Sequence, residues 1–107
     1  MRLTETQSRP VLAGRELREA IRDVVQRHLD LARYALFIFG SEASGTADRR
    51  SDIDIGILGS APVAGSTLQA IRDELDELRT LRAFDLVDLQ RVDESFKEHA
   101  LAHAERL

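Results

Sequence analysis

Three short apolar runs constrain this chain most, because each is too short for a helix of useful length and each lies beside a longer stretch with helical spacing. "YALFIF" (Tyr34 to Phe39) is aromatic and branched and stops at Gly40, which fits a buried strand. "SDIDIGIL" (Ser51 to Leu58) begins with polar and apolar residues in alternation and predicts a second strand, paired with or adjacent to the first. "AFDLVDL" (Ala83 to Leu89) predicts a third. Around them, Leu17, Ile21, Val24, Val25 and Leu29 predict an amphipathic helix from about Gly14 to near Asp30. Leu68, Ile71, Leu75, Leu78 and Leu81 predict a second helix, capped by Ser66 or Thr67. "DESFKEHALAHAERL" from Asp93 predicts a terminal helix with an N-capping Asp or Ser. The predicted order is helix, strand, strand, helix, strand, helix.

With 107 residues the chain has room for one domain, expected over residues 14–107 after a flexible lead-in of residues 1–13. No apolar stretch nears the roughly 20 residues that span a bilayer, and the start carries no apolar secretory segment, so a soluble cytoplasmic protein without membrane contact is expected. The absence of cysteine excludes disulfides, thiolate zinc sites and cysteine nucleophiles. Fifteen Lys and Arg stand against 19 Asp and Glu, a net charge of −4, so direct nucleic-acid binding is not expected. A small anion held through a metal is compatible with that charge, since a divalent cation inverts the local field of an acidic site.

Asp52 and Asp54 are two apart on a predicted strand, so they share a face while Ile53 and Ile55 share the other. Neighbouring carboxylates repel unless a cation neutralises them. Magnesium suits them, being a hard ion held by one or two carboxylates together with substrate phosphates. Gly40 lets the backbone approach a ligand closely, and Ser41 adds a hydroxyl donor, so these two residues form a candidate phosphate cradle facing the metal side. Asp85 and Asp88 are candidates for a third carboxylate, and alternation alone does not choose between them. His99 and His103 have helical metal-ligand spacing but no third ligand, and are expected to be solvent-exposed, as is His28 on a helix surface. Tyr34 and the phenylalanines are expected to pack rather than to bind bases.

The stretch "GSEASGTADRRSDIDI" resembles the Gly-Ser, ten-residue gap, Asp-x-Asp signature of the DNA polymerase beta-like nucleotidyltransferases. With the later "FDLVDLQRV" and the small size, the chain is similar to the minimal nucleotidyltransferase (MNT) group, antitoxins of HEPN/MNT toxin–antitoxin pairs. The resemblance covers roughly residues 14–92. It implies an α+β fold, a mixed sheet of three to four strands flanked by helices. It also implies Mg2+-dependent transfer of AMP from ATP, with two ions, to a protein hydroxyl, a tyrosine of a HEPN toxin, within a hetero-oligomer. Gly40 and Ser41 would bind the nucleotide, and Asp52, Asp54 and Asp85 would be the catalytic, metal-ligating residues; the family pattern selects Asp85 over Asp88. Where many members carry basic residues after Gly-Ser, this chain has Glu42 and Ser44, with Arg49 and Arg50 later. Two alternatives stay open: an antitoxin that is catalytically weak and acts by binding, and a nucleotidyltransferase subunit that modifies a small molecule such as an antibiotic.

Overall fold

The computed structural model describes residues 11–39 and 52–107. Helix α1 (Gly14–Gln26) leads into β1 (Tyr34–Phe39) and β2 (Ile53–Gly59), followed by α2 (Gly65–Leu75), β3 (Phe84–Asp88), α3 (Glu94–Ala102) and a two-residue β4 (Glu105–Arg106). The strands make one sheet in the order β3-β2-β1-β4. β1 is antiparallel to both β2 and β4, whereas β2 and β3 are parallel, with α2 as the connection between them. This is the expected α+β mixed sheet, with a fourth strand beyond the three apolar runs.

Alternation along the strands divides the sheet into two unlike faces. Leu36, Ile38, Ile53, Ile55, Ile57 and Leu86 point to one, where they meet Leu17, Ile21, Val24 and Val25 of α1 and Leu68, Ile71 and Leu75 of α2. These helices bury the spacing that predicted them, and each fully buried Ile or Leu contributes about 1.5–3 kcal/mol before entropy is charged against it. On the other face a smaller cluster of Phe39, Leu89 and Ala100, joined by Phe37, Leu58 and Val87, seats α3. Gly56 makes that second packing possible. A Cβ there would stand 2.9 Å from Leu89 Cδ1 and 3.3 Å from Phe39 Cε1.

Several boundaries differ from expectation. α1 ends at Gln26, not Asp30, because the Asp30 carboxylate accepts from the Ala32 amide and its carbonyl accepts from Arg33 and Tyr34, turning the chain into β1. His28 therefore lies beyond the helix, and its Nε2 is 2.6 Å from Glu74 Oε1; Arg27 reaches the other oxygen of the same carboxylate, also at 2.6 Å. These contacts tie the end of α1 to α2 and hold the Glu74 pKa below its ordinary value, chiefly through the Arg27 hydrogen bond and then that of His28. α2 has Ala64 at its N-cap with no side-chain cap, so neither Ser66 nor Thr67 fills that role. It stops before Leu78 and Leu81, and Leu81 is exposed. Asp93 does cap α3, accepting from the Phe96 amide at 2.7 Å. Leu12, assigned to the lead-in, packs on the main core and donates to the Arg79 carbonyl.

Candidate active site

Asp54 and Asp85 are brought together by strand pairing. In the parallel ladder Asp54 is the register partner of Asp85, and in the antiparallel ladder it is the partner of Phe39. Asp85, Asp54 and Phe39 thus form a row across three strands on the face that carries α3. The buried Ile53 and Ile55 on either side of Asp54 face the main core and fix which way its carboxylate points. Asp52 lies just before β2 rather than within it, and is exposed. The Ile53 amide donates to the Ala83 carbonyl at 2.8 Å, which anchors the start of β2 beside the start of β3.

The pKa of Asp54 is raised, first by burial, then by the negative charge of Asp85 and then by that of Asp52. Every one of these influences opposes ionisation. The three carboxylates therefore share one electrostatic field, and that field is negative. Among the described residues, no three or more His, Asp or Glu side chains are grouped so as to hold a metal ion. The donor set itself, hard carboxylate oxygens whose repulsion a cation would relieve, fits a divalent ion such as Mg2+.

Asp88 belongs elsewhere. It is buried, on the Leu86 side of β3, and its Oδ2 accepts from the Val63 amide at 2.7 Å while Oδ1 accepts from the Gln90 amide at 3.0 Å. Arg91 pairs with it at 3.3 Å and also donates to the Val63 carbonyl. This carboxylate ties the loop before α2 to the end of β3, and only Asp85 joins Asp54.

Gly40 and Ser41 lie outside the described residues, as do Glu42, Ser44, Arg49 and Arg50. His99 and His103 are exposed on and just after α3. Phe39 and Phe96 form an edge-on pair beside the carboxylate row, with ring centroids 6.3 Å apart and planes at 88°. No spacing in the sequence announces that pair, because strand pairing and α3 docking create it.

A family model described as polymerase beta, nucleotidyltransferase matches residues 16–107. A search of curated proteins finds no match. Among solved structures, the chain is similar to a candidate minimal nucleotidyltransferase, with 25% identity, a TM-score of 0.67, and coverage of 84% of this chain and 88% of that one. It is also similar to a toxin–antitoxin structure solved with AMP-PNP, at 22% identity and a TM-score of 0.66, covering 82% of this chain and 69% of that one. A third is the complex of a tri-AMPylated Shewanella oneidensis HEPN toxin with its MNT antitoxin, at 17% identity and a TM-score of 0.62, covering 84% and 67%. The last two likenesses speak for the fold. Matched over nearly its whole length and carrying its acidic pair on adjacent parallel strands, the chain belongs to the polymerase beta nucleotidyltransferase family.

Proposed function

We propose that this protein is a Mg2+-dependent adenylyltransferase that moves AMP from ATP to a tyrosine hydroxyl of a HEPN toxin and so acts as its antitoxin. The observation that carries this reading is the Asp54–Asp85 register pair, with Asp52 adding a third charge and the whole set opposing ionisation of Asp54. Its support in kind comes from the solved relatives, one holding an ATP analogue and another a toxin bearing three AMP groups.

In the proposed reaction the acceptor oxygen attacks the α-phosphorus of ATP, the bond from that phosphorus to the bridging oxygen breaks, and pyrophosphate leaves. When bound, Mg2+ supplies neutralisation of the phosphoryl oxygens and lowers the pKa of the acceptor hydroxyl. Asp52 and Asp54 would hold it, and Asp85, the register partner of Asp54 on the neighbouring strand, would help it activate the attacking hydroxyl and take up its proton. Gly40 and Ser41, next in sequence after Phe39, take the triphosphate.

The test is transfer of label from ATP labelled at the α-phosphate to a cognate HEPN toxin, with and without Mg2+. Loss of label in the Asp52→Ala, Asp54→Ala double variant supports the reading. If that double variant still neutralises the toxin while transferring nothing, the protein acts by binding.

A further inference from the structure

β3 is an outer strand of the sheet, paired with β2 on one side only and in the parallel sense, which holds slightly less firmly per residue than an antiparallel ladder. Asp85 sits near the start of this strand. The Ala83 carbonyl accepts from the Ile53 amide at 2.8 Å and the Leu89 amide donates to the Ile57 carbonyl at 2.9 Å, so both turn toward β2. By alternation Asp85 and Val87 turn their backbone groups the same way, and Phe84, Leu86 and Asp88 turn theirs to the outer edge.

That outer edge is gripped beside Asp85. The Arg72 guanidinium donates through Nη2 to the Leu86 carbonyl at 3.1 Å. A charged donor makes this a stronger bond than one between neutral groups. Arg72 comes from the last turn of α2, the helix that links β2 to β3, and that turn is itself fixed. Its neighbour Ile71 is fully buried in the main core, and nearby Glu74 is held by Arg27 and His28 at the end of α1. β3 is thus clamped at Leu86, between the β2 ladder on one side and a cation anchored in the helix layer on the other. The ties that Asp88 makes to Val63, Gln90 and Arg91 lie further along the strand, whereas Leu86 directly follows Asp85.

We propose that Arg72 is the positioning residue that keeps Asp85 in place opposite Asp54. The inference rests on the nucleotidyltransferase reading above, in which Asp85 ligates the metal, and adds to it the group that fixes this ligand. Partners that touch and orient a metal ligand are worth about 10–100-fold in metal affinity. Arg72 acts through one intervening backbone group, so its removal should cost less, about three- to tenfold.

Two variants remove the donor: Arg72→Ala, which suits a helix, and Arg72→Met, which keeps an aliphatic stem. Mn2+ is the probe, since it takes the same carboxylate oxygens as Mg2+ and its free-ion paramagnetic resonance reports binding. Each variant should bind Mn2+ about three- to tenfold more weakly than wild type. Amide hydrogen exchange on the metal-free chain separates positioning from a general loss of stability. The Asp85 and Val87 amides should exchange about tenfold faster in both variants, while amides of the β1–β2 ladder stay within about twofold of wild type. Unchanged Mn2+ affinity would overturn the assignment, as would unchanged exchange at Asp85 or parallel acceleration of every slow amide in the sheet. Weakening in Arg72→Ala but not in Arg72→Met would assign the effect to packing of the stem and overturn it also. A wild-type protein that binds Mn2+ no better than these variants overturns this inference alone, whereas one that binds no Mn2+ overturns the metal-dependent reading with it.

Discussion

Asp54 and Asp85 face each other across the parallel β2–β3 ladder, two like charges placed side by side on a sheet face with the charge of Asp52 acting on the same site. Such a pair opposes folding of the metal-free chain.

Removing the charge of Asp54 should stabilise the metal-free protein and abolish its chemistry. The folded-state pKa is raised, so the ionised form is less favoured in the fold than in the unfolded chain. At neutral pH that is a penalty, and it fades as pH falls through the raised pKa. Asp54→Asn should therefore melt above wild type at pH 7, with the gap closing in acid, while transfer falls by about a hundredfold or more. Thermal melts across pH and a label-transfer assay check the two halves.

Magnesium should raise the melting temperature of wild type, by about 5–10 °C at a concentration tenfold above its Kd. Protons compete with the cation for Asp54. The gain should shrink as pH is lowered through the raised pKa, and it should be lost in Asp54→Asn at any pH.

Asp88 should behave in the opposite way to Asp85. Asp88→Ala removes the acceptor from two amides and the partner from Arg91, leaving the Val63 amide buried without its bond, at a cost of about 2–4 kcal/mol. Asp85→Ala, at an exposed position, should leave stability within about 0.5 kcal/mol of wild type and remove transfer. Denaturant unfolding of the two variants separates a structural carboxylate from a functional one.

Gly56→Ala should destabilise by about 1–3 kcal/mol, since the added methyl meets buried Leu89 and the ring of Phe39.

The helices of the main core and β1 to β3 were legible because their apolar spacing is what the sheet buries: Ile53, Ile55 and Ile57 alternate, and Leu17, Ile21, Val24 and Val25 line one stripe. The same alternation placed Asp54 on the face opposite Ile53 and Ile55, whereas Asp52, expected beside it on the strand, lies just before β2. What the sequence hid depends on contacts between distant residues. β4 is only Glu105 and Arg106, with no apolar pattern, and it is held at the sheet edge by the Leu107 amide on the Leu36 carbonyl and by Arg18 gripping Glu105. Leu78 and Leu81 keep helical spacing after the helix has ended, where the Arg79 carbonyl has been taken by the Leu12 amide. Period-two alternation put Asp85 and Asp88 on opposite faces without saying which face held the site; the buried amide of Val63 answers that for Asp88. Phe96 could not be told from a core phenylalanine by sequence, since its exposure follows from how α3 docks.

The most direct test of the account is label transfer from α-labelled ATP, in Mg2+, to a cognate HEPN toxin. Wild type should place AMP on a tyrosine of that protein and release pyrophosphate, and the Asp52→Ala, Asp54→Ala variant, folded by circular dichroism, should transfer none. A folded wild-type protein that labels its partner with none of the four common nucleoside triphosphates would contradict the account.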